Sequence, residues 1–437
     1  MITGKKVGVI SLGCDKNRVD TEKMLALLKT NHQIESEIEN AQIIIINTCA
    51  FLSSAREEAI TEILSVATLK ESGNLEKLII TGCLPQKFGE QIFEELVEVD
   101  AMMGVSDYDK IQSVINAIYK GERVNAVGSP KLDCLKDRVK TTNGYAYLKI
   151  ADGCNNHCTY CLIPSIRGKF RSTPIDCLIE ETKALGEVNE LILVAQDLTR
   201  YGEDLGDTDI CQLIEKLSKI ESVKSIRLLY CYPERITDKL ISVIKNNDKV
   251  VKYIDVPLQH ASDKILKLMN RKGSFNQYIS LIEKLKKEIP NIAIRSTFIT
   301  GFPQERQEDF DILIDFLQRA KLFNAGFFAF SREEGTPAYK LLGQIPKGEK
   351  TKRVKKLYAV QKKIVKQNLK SFVGKTLSVS VGGFDENSLV YYGRAYFNAP
   401  DIDGKVFFFA DKELFVGDTV EVYIKKAQDY DLYGELV

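Results

Sequence analysis

Three cysteines fall within the segment Asp152-Gly153-Cys154-Asn155-Asn156-His157-Cys158-Thr159-Tyr160-Cys161, a CxxxCxxC arrangement. Three thiolates on one compact loop can ligate three irons of a cubane cluster and leave the fourth iron without a protein ligand. An open metal position is what separates a reacting site from a closed structural one, a logic that carries over from zinc. Zinc would normally ask for a fourth ligand, and His157, inside the loop, reads as a spacer. A second set is spaced widely: Ser11-Leu12-Gly13-Cys14, Asn47-Thr48-Cys49 and Thr81-Gly82-Cys83, at intervals of 35 and 34 residues. Each of these cysteines follows a short apolar run. In a parallel sheet the carboxyl ends of strands share an edge, so such loops converge and can assemble a three-thiolate site. Gly13 and Gly82 suit tight turns beside a bulky ligand. The competing reading is three small apolar residues closing buried strands. Cys134, Cys177, Cys211 and Cys231 have no partner spacing and read as buried.

The elements that must hold these residues follow from periodicity. Short unbroken runs at Val7–Leu12, Ile43–Ile46 and Leu78–Ile80 alternate with helical stretches, the grammar of a parallel sheet covered on both faces. A helix is expected from Ser53 to Leu69, with Ser54 and Glu57 as a capping box. Runs at Tyr145–Ile150, Leu191–Ala195, Ile226–Leu229, Tyr253–Val256, Ile292–Phe298 and Gly326–Phe330, separated by helices, suggest an incomplete parallel barrel, with a doubly wound sheet as the alternative. Lys347–Lys370 holds ten Lys or Arg and one acid at helical spacing and reads as a connecting helix with a solvated basic face. Phe372–Val437, rich in Val, Phe, Tyr and Gly, argues for a small all-β barrel. The chain therefore divides at 1–130, 135–370 and 372–437, and its fold class is α/β with a terminal β-barrel.

Composition bounds the function. The 437 residues suggest about three domains. The 61 Lys and Arg against 60 Asp and Glu give a net charge of +1, which removes a globally polyanion-coating protein. No apolar run reaches the ~20 residues of a membrane span. The first ten residues lack an export signal, so the expected location is the cytoplasm, a compartment that disfavours structural disulfides.

CxxxCxxC after the first strand of a βα barrel resembles the radical S-adenosylmethionine enzymes. The resemblance implies an open iron chelating S-adenosylmethionine, and an electron that cleaves it to a 5'-deoxyadenosyl radical. With the spaced triplet and the terminal barrel, the chain resembles the methylthiotransferases. These combine a three-cysteine N-terminal domain, a radical S-adenosylmethionine barrel and a TRAM barrel. That resemblance implies two 4Fe-4S clusters, at Cys14, Cys49 and Cys83 and at Cys154, Cys158 and Cys161, with S-adenosylmethionine used as methyl donor and radical source.

Two branches compete. The segments SLGCDKNRVDTE (Ser11–Glu22), IRGKFRSTP (Ile166–Pro174), VAQDLTRYGED (Val194–Asp204) and LQHA (Leu258–Ala261) resemble the RimO type, which modifies the β-carbon of an aspartate in small-subunit ribosomal protein twelve. The alternative is a MiaB-like tRNA adenosine methylthiotransferase. A second alternative is a non-catalytic iron-sulfur assembly or binding protein. The departures are Asp15 where proline is common, Thr173 where arginine is common, and Gln304-Glu305-Arg306 where Gly-Glu-Thr is usual.

From Phe372 to Val437, six basic residues face eleven acids, a net −5 that should repel RNA and attract a basic protein. The expected partners are the ribosomal protein, within the ribosome or free, and an electron donor such as flavodoxin or ferredoxin, with tRNA and membrane disfavoured. Strand-end residues Gln196, Gln259, Arg295, Thr297 and Gly301 are candidates for contact with S-adenosylmethionine, Arg295 with its carboxylate and Gly301 near adenine. Arg167, Lys169 and Arg171 read as ordinary loop charges.

Overall fold

The computed structural model describes residues 1–437 except for the side chain of Ser72. Strands β1 (Lys6–Ser11), β2 (Gln33–Ile34), β3 (Ile43–Thr48), β4 (Lys77–Gly82), β5 (Ala101–Met103) and β6 (Val124–Ala126) form one parallel sheet in the order β2-β1-β3-β4-β5-β6. Every residue of β3 is buried, as a strand covered by helices on both faces must be. The register pairs Ser11 with Asn47 and Thr48 with Gly82. Three adjacent strands thus end level with one another, one to three residues before Cys14, Cys49 and Cys83.

The helix after β3 runs Ser53–Ala67, but no side chain caps it. The expected Ser54–Glu57 capping box is absent because another partner takes its place. Glu333, from the loop after the last barrel strand, accepts the Ser53 N–H at 2.8 Å and pairs with Arg56 at 2.6 Å. A local cap is replaced by a tertiary one, which ties the N-terminal sheet to the middle of the chain.

A two-stranded antiparallel ladder of β8 (Ala151–Asp152) and β9 (Arg171–Ser172) follows β7 (Tyr145–Lys149). The CxxxCxxC loop projects from this ladder. Then come β10 (Val188–Val194), β11 (Val223–Leu228), β12 (Val250–Asp255), β13 (Ala293–Thr300) and β14 (Asn324–Ala329). With β7 they form six parallel strands in the sequential order β7-β10-β11-β12-β13-β14. A doubly wound sheet would reverse direction at a switch point, so the sequential order marks the open, incomplete barrel.

Strands β15 (Thr376–Asp385), β16 (Val390–Arg394), β17 (Val406–Phe409), β18 (Thr419–Gln428) and β19 (Asp431–Leu436) close into a barrel. The Lys347–Lys370 helix joins it to the rest, burying Leu357, Ile364, Val365 and Leu369 while most of its lysines stay in solvent. Tyr391 and Tyr392 are half-buried, Phe408 is in the core and Phe409 is exposed. The closed barrel plugs the open one. Tyr253 donates to Asp403 at 2.8 Å and Asn324 does so at 2.9 Å, while Arg394 pairs with Glu190 at 2.6 Å.

The segment between the first two sheets is pinned across both. Lys23 pairs with Asp133 at 2.8 Å, and Arg138 pairs with Glu22 at 3.0 Å and Glu181 at 2.7 Å. Cys134 and Cys177 form a disulfide with Cα atoms 5.5 Å apart, which corrects the expectation that both are solitary and buried. Their separation of 43 residues hides the pairing from any motif. Cys211 and Cys231 are buried, as expected. Among the described residues, no helix is long and apolar enough to cross a membrane.

Candidate functional site

The spaced triplet is held by backbone. Cys14 caps the Asp15–Lys29 helix and Cys83 begins the Cys83–Glu95 helix, so both thiols sit where unpaired N–H groups and the positive end of a helix dipole favour an anion. Asn17 fastens the strand ends to one another, donating to Thr48 O at 3.0 Å, Leu12 O at 3.3 Å and Asn47 Oδ1 at 3.3 Å. Thr48 donates to Thr81 O at 2.7 Å. Gly82 has φ +96°, and a Cβ there would stand 2.4 Å from Asn47 Oδ1 and 2.6 Å from Thr48 O. Only glycine lets β3 and β4 end this close together.

Burial pushes the Cys83 thiol up to about 12, with the Arg167 guanidinium opposing that shift. Burial also raises Cys49, and Cys14 lies near enough to add to the effect. Cys83 is buried, Cys49 half-buried and Cys14 exposed. Cys14 opens onto a cavity of about 280 Å³ lined also by Asp15, Arg18, Tyr147, Tyr230 and Asp401, which brings all three sheets to one space.

The compact triplet is held by its neighbours at the carboxyl ends of the barrel strands. Asn156 donates to Asp197 at 2.8 Å and accepts from Arg200 at 2.9 Å, after β10. Thr159 N donates to Met269 O at 3.1 Å, and Ala338 N donates to Thr159 O at 2.8 Å. At the loop's base Gly153 has φ +78°, and a Cβ there would stand 2.2 Å from Lys169 O. Burial pushes Cys161 up to about 12, with Cys158 and Cys154 adding to the shift and Arg271 opposing it. Ile163 N donates to Cys161 Sγ at 3.4 Å. His157 turns the loop with φ 48°, a spacer's role.

Both triplets therefore converge, each with one buried arginine beside it. Among the described residues no group of three His, Cys, Asp or Glu is close enough to hold a single metal ion. A larger cluster bridging three separated thiolates fits the donor set: all-sulfur ligation, positions that run from buried Cys83 to exposed Cys14, and a nearby cation. Thiols raised by burial must lose protons on ligation, so loading releases protons.

The other candidates separate. Gln196 donates to Asp152, at the root of the compact loop, at 2.9 Å and leaves its buried Oε1 without a partner. Gln259 (φ 74°) bridges to Phe298, its N–H bonded to Thr297 O at 2.8 Å. Arg295 donates to Asp255 at 3.0 Å and Thr297 Oγ1 at 3.3 Å, and pairs with Asp403 at 3.4 Å. These bonds tie its guanidinium to the plug. Gly301 N donates to Glu305 at 2.6 Å.

Three residues escaped the sequence reading. Glu305, inside the departure from Gly-Glu-Thr, keeps the middle position and also accepts from Phe302 N, Thr300 and Arg353 at 3.0, 2.8 and 2.8 Å. The substituted positions are thus Gln304 and Arg306 alone. Arg271 is buried over the Tyr232 ring at 4.0 Å. Arg167, expected to be a loop charge, is 1% exposed. Its proximity to the CxxxCxxC loop was the available signal, and its partners other than Asp152, namely Asn17, Asp20 and Cys83, lie too far away in sequence to read.

Comparison with known proteins covers the same three regions. Residues 148–317 match the Radical SAM superfamily, residues 6–104 the Uncharacterized protein family UPF0004, and residues 373–437 the TRAM domain. The chain is 46% identical to the ribosomal protein uS12 methylthiotransferase RimO of Acetivibrio thermocellus, over 99% of this chain and 98% of that protein. The protein of the same name from Clostridium botulinum is 47% identical, again over 99% and 98%. Among solved structures, the radical S-adenosylmethionine methyltransferase TsrM of Kitasatospora setae, with cobalamin and a [4Fe-4S] cluster bound, has a TM-score of 0.58 at 12% identity, covering 77% of each chain. OxsB, a cobalamin-dependent radical enzyme with aqua-cobalamin and S-adenosylmethionine bound, has a TM-score of 0.52 at 13% identity, covering 82% of this chain and 56% of that one. At such identities the likeness is one of fold.

Proposed function

Because this chain belongs to the RimO family of ribosomal protein uS12 methylthiotransferases, we propose that it attaches a methylthio group to the β-carbon of an aspartate in that protein. Cys154, Cys158 and Cys161 hold one 4Fe-4S cluster, and Cys14, Cys49 and Cys83 hold the other. When bound, the first supplies the electron that cleaves S-adenosylmethionine and the second supplies sulfur. The observation that carries this reading is the convergence of two separate all-cysteine triplets, each backed by a buried arginine.

The residues of the chain orient and exclude. Asn156, Asp197 and Arg200 fix the compact loop, and Gln196 keeps an unpartnered oxygen that would accept from S-adenosylmethionine. Glu305 holds the Gly301–Pro303 turn by the Gly301 and Phe302 N–H groups, and this turn would supply a wall for the adenine of S-adenosylmethionine. Gln259 and Thr297 line the same strand ends. Arg295 is committed to Asp255 and Asp403, so its part is to seat the terminal barrel. The cavity beside Cys14 admits the aspartate, and the terminal barrel's net −5 steers a basic substrate. The working units are residues 1–130, 135–370 and 372–437. An electron donor such as flavodoxin or ferredoxin reduces the compact centre, and the reaction takes place in the cytoplasm on free or ribosome-bound substrate.

Mass spectrometry of uS12 and of bulk tRNA, from cells with and without this gene, tests the reading. The expected result is loss of the methylthio mass from uS12 alone. Loss from tRNA alone would assign the adenosine reaction, and loss from neither would leave a non-catalytic iron-sulfur protein.

A further inference from the structure

Arg167 lies between the two triplets and belongs to neither. It stands at the end of the loop that begins at Cys154, and its Nη1 donates to Asp152 at 2.8 Å, at the root of that loop. Its Nη2 reaches the other way, donating to Asn17 Oδ1 at 2.8 Å and to Cys83 Sγ at 3.9 Å. Both nitrogens lie 3.4 Å from Asp20 Oδ2. Asn17 in turn fastens the ends of β1 and β3 beside Cys14 and Cys49. One planar fork, 1% exposed, therefore bonds the base of the compact loop, the helix that follows Cys14, and the sulfur of Cys83. A lysine donates from a single nitrogen and lacks the two-nitrogen fork that reaches Asp152 on one side and Asn17 and Cys83 on the other.

Burying a guanidinium is costly unless its partners are anionic. Asp152 and Asp20 supply that charge, and Cys83 would add to it once ligation removes its proton. The neighbouring cation Lys149 is occupied by Asp20 and, at 3.5 Å, by Asp152. A cation that donates to a ligating sulfur stabilises the more negative, reduced state of an iron-sulfur cluster.

We propose that Arg167 is a positioning residue of the sulfur-supplying centre, which fixes that centre's distance from the radical-generating one and raises its reduction potential through the bond to Cys83. This inference rests on the two-cluster reading given above. It assigns to one side chain the coupling between two half-reactions that the cysteines alone do not supply.

The test uses the full-length enzyme, reconstituted without oxygen, as the parent, Arg167→Gln and Arg167→Lys. Iron per chain and the midpoint potential of each cluster, followed by electron paramagnetic resonance, are the readouts. The parent is expected to hold about eight irons. In the Gln variant the potential of the Cys14–Cys49–Cys83 centre should fall while that of the other centre stays. The Lys variant, which keeps the charge and loses the fork, should fall part of the way. Methylthio product should drop more than about tenfold in both, since small misplacements are costly to transfer between two sites. An unchanged potential in the Gln variant, or equal movement of both centres, overturns the proposal. Should the Gln variant fail to load iron, the Lys variant decides alone: a lowered potential supports the proposal and a parental one overturns it. A parent holding about four irons would remove the two-cluster reading, and this inference with it.

Discussion

Cys154, Cys158 and Cys161 sit on one loop closed at its base by β8 and β9, whereas Cys14, Cys49 and Cys83 come from the ends of three parallel strands aligned by register. The compact centre depends on local chain geometry and on docking against the loops after β10 and β14. The spaced centre depends on a whole sheet being folded in register, because a slip between strands would carry its cysteines apart. One problem, bringing three thiols near one another, is solved by sequence proximity in one place and by topology in the other.

The comparison is broken most severely by removing each triplet in turn. Alanine at Cys14, Cys49 and Cys83 should remove about four of eight irons and abolish methylthio transfer, while reductive cleavage of S-adenosylmethionine continues. Alanine at Cys154, Cys158 and Cys161 should remove the other four or so and abolish cleavage as well. Iron analysis with measurement of 5'-deoxyadenosine separates the two. If either substitution emptied both centres, they would be one cooperative assembly.

The difference in construction also explains what was legible in the sequence. The compact triplet is written as a motif, and the strand runs around it are unbroken and β-branched, so loop and barrel could both be read. The spaced triplet was legible only because each cysteine follows a strand. Arg167 was misread as a loop charge because Asn17 and Cys83, the partners that bury it, lie 150 and 84 residues away. The Cys134–Cys177 bridge and the Glu333 cap on the helix at Ser53 were missed for the same reason. Local chemistry shows in sequence, and contacts made by tertiary packing do not. Glu305 lay in plain view, but the two substitutions on either side of it drew attention away.

Glycine substitution sharpens the comparison at a smaller scale. Gly82→Ala would force a Cβ to within 2.6 Å of Thr48 O at φ +96°, and Gly153→Ala would bring one within 2.2 Å of Lys169 O at φ +78°. Backbone strain alone costs about 1–3 kcal/mol at each site. The consequences should differ. Gly153→Ala displaces a loop and should deplete iron at the compact centre, with the melting of the N-terminal sheet little changed. Gly82→Ala separates β3 from β4 and should lower the melting temperature together with iron at the spaced centre. Thermal unfolding followed by circular dichroism, alongside cluster-resolved paramagnetic resonance, reads both effects.

The smallest effect probes the connection rather than either centre. Asp133 anchors the connecting segment to the N-terminal helix through Lys23, and it also accepts from Tyr108. Burial alone would push the Asp133 carboxyl up, but Lys23 and Lys149 outweigh it and hold the group below its ordinary 3.8. A carboxyl whose folded value is depressed contributes stability above its unfolded value and loses it as pH falls through the folded one. Its contribution is therefore complete at neutral pH and disappears only in acid below 3.8. Asp133→Asn should cost about 1 kcal/mol at pH 7, because Asn still accepts from Tyr108 and Lys23 keeps Glu181 at 3.1 Å. The same variant should lose less stability than the parent between neutral and strongly acidic pH, as measured by urea unfolding. Both centres should keep their iron, because neither triplet touches this segment. A parental acid dependence in the variant would mean that other carboxylates govern the joint between the two centres.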